Sequence, residues 1–486
     1  MVHDVAGQAH PGTPVTHAAA AAEPDPRRWR ALALLAVAQF MVILDISVVN
    51  VALPDIGAAL GLEREGLTWV ITAYTLCFGG LMIFGGRSAD LLGSRRTFLA
   101  GLAVFTAASA LAGLTRDGSW LIAARGFQGA GAALLSPAAL ATVTAMFSGH
   151  ERYRALGVWA GLGGAGAAVG VLLGGVLVSG PGWPWIFYVN VPTGLAVLAL
   201  APRIVPPTPA RPGRLDVAGA VLVTGGLGAV IYGLIKAGSA GWSDAATLVP
   251  LAAGALTLAV FAVVERSVRE PLVRPELVAR RPVASGLLTM TLATALLIAS
   301  FFLGSMLLQR VLGLSALEVG VTFLPVALAT GAGAHLGSRL LPRVGPRAVA
   351  AGGFTLAGGG LFLMSRIDAG AGVVTGVLPG FVLAAFALGT AFVVATTTAL
   401  AAAPAEHTGA LSATVNTSHE LGASLGAAVF SAVAGASLTV VARPAVDGFD
   451  RAFAVAAVTA LVAAAVLAVA LPAGRPAVGD QPLFAH

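Results

Sequence analysis

The sequence predicts an all-α polytopic membrane protein, and three observations predict it. The chain has 486 residues, 57% hydrophobic and only 10% charged, with a mean hydropathy of +0.89. Soluble domains carry about 25% charged residues. The apolar residues gather into long unbroken runs, where barrel strands would alternate over about 10 residues. The basic residues, finally, collect between the runs and leave them almost free of charge.

Taken in order, the runs give fourteen expected spans: about 31–53, 67–86, 97–114, 120–146, 155–178, 186–204, 216–235, 246–264, 283–308, 318–338, 347–365, 371–400, 409–440 and 450–471. With the N-terminus inside, 20 of the 28 Lys and Arg residues fall on the cytoplasmic side, 7 fall outside and Arg125 lies within a span. That asymmetry fits the positive-inside rule with both termini cytoplasmic. Losing one span would reverse every later loop and spoil it. Residues 1–28 have no apolar core and read as a tail, as do 473–486.

Two features recur eight spans apart. Leu91–Arg96 (LLGSRR) closes the second–third turn, and Arg343–Arg347 (RVGPR) closes the tenth–eleventh. Gly166, Gly170 and Gly174 on span five are echoed by Gly422 and Gly426 on span thirteen, each with the i, i+4 spacing of close helix contact. An offset of eight implies two six-helix bundles, 29–204 and 276–472, separated by an inserted pair and its linkers at 205–275. Repeats of this kind, with a midplane site, build many secondary transporters.

The composition also excludes chemistry. Lys236 is the single lysine and sits in Leu-Ile-Lys-Ala, so no Walker A loop is present. Cys77 is alone in an apolar run, which rules out an intramolecular disulfide or a thiolate cluster. The net charge of +6 comes from arginines at helix ends and is not a nucleic-acid signal. No cofactor or metal is expected, and no nucleophile–base constellation marks an enzyme.

Motifs carry the next step. Gly86-Arg-Ser-Ala-Asp90-Leu-Leu-Gly93-Ser-Arg95-Arg96 resembles the loop motif of the major facilitator superfamily, with Leu91 and Ser88 departing from its usual residues. The resemblance implies a conformational latch at Gly86, Asp90, Gly93, Arg95 and Arg96; the residues alone fit a plain cytoplasmic turn equally well. Leu44-Asp45-Ile46-Ser47-Val48-Val49-Asn50 is similar to the first-helix motif of the 14-helix drug:proton antiporters. Arg125-Gly-Phe-Gln128-Gly129 resembles the superfamily's fourth-helix motif, and Trp183–Gly194 the sixth-helix entry of the 14-helix branch. On span five, Gly166, Gly170, Gly174 and Gly175 keep the antiporter glycine pattern, with Val171 where proline is usual. The resemblance runs from about 31 to 470. It implies a major facilitator fold of two six-helix bundles plus two inserted helices, driven by the proton gradient.

Within this frame the ionisable groups inside spans draw attention, because a charge in hydrocarbon costs several kcal/mol. Asp45 lies roughly 21 Å along the outward-running first span, and Arg125 roughly 8 Å into the inward-running fourth. Both fall in the outer half, at comparable depth, and can pair if the helices are neighbours. Gln128 shares the Arg125 face at i, i+3. The expectation is that protonation of Asp45 alternates with substrate binding, Arg125 setting the balance; the alternative is a static ion pair. Glu420, with His419 and Asn416 nearby, lies near the midplane of span thirteen as a second proton carrier or a contact for a cationic substrate, or nearer the interface if the span begins later. Gln39, Asn50, Tyr74, Trp159 and Gln309 are further cavity candidates, although such side chains commonly satisfy a neighbouring helix instead. His335 is expected at the interface.

The function expected is proton-coupled export of a small amphipathic compound across a bacterial cell membrane, by a protein that need be no more than a monomer. A dedicated exporter of an endogenous metabolite and an uptake symporter stand as alternatives. A membrane sensor is disfavoured because no sizeable soluble region is present.

Overall fold

The computed structural model describes residues 27–473 apart from 148, 209, 211–212, 269–270, 273–274, 368–369, 371, 402–407 and 436–446. The tails at 1–26 and 474–486 lie outside the described residues. The long helices are α1 (Arg28–Leu60), α2 (Arg64–Leu92), α3 (Ser94–Leu114), α4 (Gly118–Met146), α5 (Gly149–Ser179), α6 (Trp185–Ile204, interrupted at Val189), α7 (Val217–Ala240) and α8 (Ala245–Ser267). They continue as α9 (Arg281–Val311, its last turn π-helical), α10 and α11 (316–344 and 346–364), α12 (Val373–Ala401), α13 (Thr408–Ala434) and α14 (Asp447–Ala470). The run Ala316–Met364 is divided at Gly345, whose φ of 82° and ψ of 166° no helix accommodates. Among the described residues, eleven helices are long and apolar enough to cross a membrane, with that run counted as one, and no strand is present. The expected thirteenth span reached 440; α13 stops at Ala434, and 436–446 lie outside the described residues.

Local chemistry sets the helix ends. Asp117 Oδ1 accepts from the backbone N–H groups of Ser119 and Trp120 at 2.9 and 3.0 Å and starts α4. Asp216 and Asp244 start α7 and α8 in the same way. Ser315 and Glu318 form a reciprocal capping box on α10. Gly61, at φ 63°, closes α1 with a left-handed cap.

Glycines then set the packing. A Cβ at Gly85 or Gly129 would strike the α4 or α2 backbone (Ala133 O and Tyr74 O), and one at Gly101 would lie 2.6 Å from Gly131 O. So α2 and α3 both press on α4. Eight helices on, a Cβ at Gly333 would strike Phe386 O and one at Gly360 would lie 2.6 Å from Gly380 O, so α10 and α11 press on α12 in the same way. Gly166, Gly170 and Gly174 of α5 seat on Ile43, Ser47 and Val48 of α1; Gly422 and Gly426 of α13 seat on Thr291 and Ala295 of α9. Gly93 and Gly345 turn α2 into α3 and α10 into α11 with φ of 91° and 82°. Two residues after each, an arginine caps a carbonyl end: Arg95 Nη1 reaches Val205 O beyond α6 at 3.2 Å, and Arg347 Nε reaches Leu471 O beyond α14 at 2.6 Å.

The two sets of helices meet at the end remote from the chain termini. Gln309 Nε2 of α9 donates to Val51 O of α1 at 2.9 Å. The α5 backbone at Val171 and Gly175 lies against Gly320 and Ala316 of α10. Along α2 and α13 the pairs Thr68–Ser431, Thr75–Ser424 and Gly79–Glu420 run antiparallel, with hydroxyl separations of 3.0 and 2.6 Å in the first two. Helix α7 lies over that seam, burying Ile231 and Ile235 beside Leu76 of α2 and Ala428 of α13. Its end is tied to α2 by Arg64 Nη2 to Ile235 O and by Lys236 Nζ to Glu65 at 2.7 Å. Helix α8 packs on α7 and leaves Val249, Leu256 and Val263 exposed. Such an apolar surface suits lipid.

Candidate functional site

Asp45 lies at the middle of α1, almost fully buried, and the polar groups that reach it come from two other helices, α4 and α6. Arg125 Nη1 of α4 makes a short ion pair with its Oδ2. Gln128 Nε2 of α4 and Asn190 Nδ2 of α6 donate to its Oδ1 at 3.2 and 3.0 Å. The guanidinium is itself held on all sides. Its Nε donates to Val70 O at 3.0 Å and its Nη1 to Gln128 Oε1 at 3.0 Å, while the face lies 4.2 Å above the Tyr74 ring. Gln128 Nε2 also reaches Ser109 Oγ at 2.7 Å.

Every member of this cluster is at most 2% exposed. The geometry satisfies one charge on each side. Removing either charge strands the other in low dielectric, which typically costs 3–5 kcal/mol. Protonating Asp45 Oδ2 would likewise leave Arg125 without its counter-ion.

Close packing puts the partners at one depth. Gly129, one turn beyond Arg125, admits the Tyr74 carbonyl, and Gly194, one turn beyond Asn190, admits Thr106 of α3. Asn190 lies within the Trp183–Gly194 motif, and its one local signal is an amide inside an apolar span. Ser109 carried no such signal, because a serine in an apolar helix usually bonds its own backbone.

The second ionisable group, Glu420, is buried where the α2–α13 seam ends; Gly79 leaves space for its Cβ. Its Oε1 lies 3.1 Å from His419 Nδ1, and the His419 ring sits 5.8 Å from Phe392. The Glu420 side chain is 8% exposed and that of His419 38%, the difference expected of adjacent helix positions. Asn416, one turn nearer the terminal end, is exposed. Among the other candidates, Gln309 bridges α9 to α1, Asn50 donates to its own helix at Ile46 O, and Trp159 packs against the core around α1–α6. Gln39 is buried and its Oε1 has no partner among the described residues. Tyr74 is fully buried under Arg125, with its hydroxyl likewise unmatched.

The loop motif is arranged differently from the pairing its residues allow. Asp90 is exposed and joins no ion pair or helix cap among the described residues, and Gly93 rather than Asp90 precedes α3. Arg95 is engaged at the carbonyl end of α6, and Arg96 is exposed. His335 is exposed near the terminal end of α10.

Residues 35–427 match the family described as Major Facilitator Superfamily. The chain belongs to the major facilitator superfamily. Within it, the chain is 40% identical over 479 residues to a puromycin resistance protein of Streptomyces alboniger, covering 95% of both chains. It is 39% identical over 452 residues to a cephamycin export protein of Amycolatopsis lactamdurans, covering 91% of this chain and 92% of that one. Among solved structures it superposes on a bacterial homologue of the lysosomal transporter Spinster, in an inward-facing and unoccupied conformation. That match has a TM-score of 0.65 and 16% identity, covering 92% of this chain and 97% of the other, and it carries the fold alone. The superfamily member described here is therefore a multi-pass membrane transporter, not an enzyme, with relatives named for antibiotic resistance and export.

Proposed function

We propose that this protein is a proton-coupled antiporter that exports small amphipathic organic compounds by alternating access. It would have fourteen membrane crossings, both termini in the cytoplasm, and act as a monomer. Bundles at 29–204 and 276–472 would rock about the inserted pair at 205–275. With that orientation, the contacts between the halves close the external side and leave Glu420 and Asn416 at the inner side, open for loading from the cytoplasm. Asp90, Arg95 and Arg96 would serve as the latch of the opposite state, in which the cytoplasmic ends come together.

The observation that carries the reading is Asp45 inside the bilayer, held by Arg125, Gln128 and Asn190 at once. A carboxylate so placed has two states of very different cost to its neighbours. Protonation releases Arg125, and α1 and α4 can then change their relation; deprotonation restores the pair. Each charge moved down 100 mV is worth about 2.3 kcal/mol, enough to accumulate a compound substantially against its gradient. Glu420 is proposed as a second proton carrier or as the contact for a monocationic substrate.

Reconstitution in proteoliposomes under an imposed pH gradient tests this. Asp45→Asn should abolish gradient-driven transport while expression and membrane insertion persist, with a melting temperature lowered by the stranded Arg125. Undiminished coupled transport by that variant would overturn the mechanism. The relatives above are each named for a single antibiotic, which favours a narrow antibiotic export role over broad efflux. A screen of antibiotic classes in the same vesicles separates the two.

A further inference from the structure

Behind the Asp45 cluster lies a groove of about 400 Å³ that the proposed coupling does not use. Val37, Phe40 and Leu44 of α1 form its floor, Leu162 of α5 one wall, and Asn190 and Thr193 of α6 the other. Its volume lies within the range of small-molecule sites, and the make-up, apolar with a few placed polar groups, is that of such sites.

Its direction can be read from α1. Gly57, against Arg310 of α9, fixes the side of α1 that faces the second bundle, and Gln39 and Asn50 lie on that same side at helical spacing. At 100° per residue Val37 and Leu44 lie about 160° and about 140° around the helix from Gly57, so the groove opens away from the second bundle. Val37 is 45% exposed there, and Val169, Val176, Leu195 and Leu200 on the flanking α5 and α6 are exposed too. In a membrane protein that face meets lipid.

One polar atom gives the groove its meaning. Asn190 donates through Nδ2 to Asp45, and among the described residues nothing donates to its carbonyl Oδ1. This acceptor lies at the depth of Asp45, 17 residues from the start of α1 and 15 from its end, hence roughly 22–26 Å along the helix from either end. A phospholipid acyl chain has no donor to offer at that depth. A compound dissolved in the bilayer with an apolar body and an N–H or O–H group does.

We infer that this lipid-facing groove between α5 and α6 is a lateral binding site for a bilayer-dissolved amphipathic compound, whose hydrogen-bond donor engages Asn190 Oδ1. The inference rests on the export reading and adds a place where substrate is collected from the membrane. It also places the bound compound one amide away from the Asp45–Arg125 pair. Occupancy is therefore felt at the proposed proton site without direct contact.

Photolabelling of the full chain in nanodiscs, without any gradient, tests this. The probes are a diazirine-bearing long-chain alkyl amide and the matched ester, which has the same chain and no donor. The amide is expected to label the Val37–Leu44 segment and the α6 segment around Thr193, about fivefold more than the ester, the factor that about 1 kcal/mol of hydrogen bond supplies. Val37→Trp and, independently, Leu162→Trp should each suppress that labelling, with melting temperature confirming a folded protein. Equal labelling by the two probes would mean a slot for acyl chains only and overturn the proposal, as would labelling unaffected by either tryptophan. Because no gradient is used, loss of labelling counts against the groove alone, whereas retained labelling with no gradient-driven transport counts against the antiport reading.

Discussion

Asp45 and Arg125 are held by more than each other. Gln128 bonds both members of the pair and also Ser109, so it fixes the pair's position relative to α3. Gln128→Leu preserves volume but removes a donor to the carboxylate and an acceptor for the guanidinium. An unmet buried charged-group bond costs about 1.5–3 kcal/mol. We expect coupled transport to fall at least about tenfold, at 1.4 kcal/mol per decade, with insertion unchanged; a transport assay in proteoliposomes reads it. Asn190 is a partner of Asp45 that residue-by-residue reading passed over, because an amide in a span more often satisfies a neighbouring helix than serves a site. Its role depends on α6 lying beside α1, which no property of residue 190 announces.

At the scale of helices, the glycines decide how near the site's residues come to one another. Gly129 lets α4 press on the Tyr74 carbonyl of α2, and this contact brings Arg125 over the Tyr74 ring. Gly129→Ala forces the backbones apart. Overpacking of this kind costs about 1–3 kcal/mol, and we expect both a lower melting temperature and impaired transport. Gly225 of α7 has no atom within 4 Å of its would-be Cβ. Gly225→Ala should be neutral or slightly stabilising, since alanine is the better helix former by about 1 kcal/mol. Thermal melting in detergent distinguishes the two. The i, i+4 glycine faces on α5 and α13 were legible in the sequence as contact surfaces, and both do seat on a neighbouring helix. Which neighbour each would meet was not legible, since a stripe of small residues fits any helix of matching curvature.

For the molecule as a whole, the arrangement of the two halves matters most. They touch through α1–α9, α5–α10 and α2–α13, at the end remote from the termini. A transporter working by alternating access must break these contacts in each cycle. Thr75 and Ser424 face each other with hydroxyls 2.6 Å apart, and Cys77 is the chain's single cysteine. In a Cys77→Ala background, the double variant Thr75→Cys, Ser424→Cys should cross-link under mild oxidation and stop transport, with recovery on reduction. Cross-linking with transport unimpaired would mean that the seam stays shut throughout the cycle. Helix α7 is tied to α2 through Arg64 and Lys236 and also packs on α13, where Gly238 meets Ala432, so it spans the seam.

Composition and run length were enough to read an all-helical membrane protein, because hydrocarbon demands runs of about 20 apolar residues, and eleven of the described helices are long and apolar enough to cross a membrane. The repeat at an offset of eight was also visible, since turn glycines and small-residue stripes are local requirements; Gly93 and Gly345 do adopt matching positive-φ turns. Asp45 stood out for the same local reason, as a charge where charge is expensive. What awaited the tertiary structure was everything that depends on neighbours. Arg125 and Asp45 are 80 residues apart, and Asn190 and Asp45 are 145 apart. Their meeting follows from backbone contacts at Gly129, Gly170 and Gly194 that no single segment encodes. The lipid-facing groove is of the same kind, since a gap between two helices belongs to neither of their sequences.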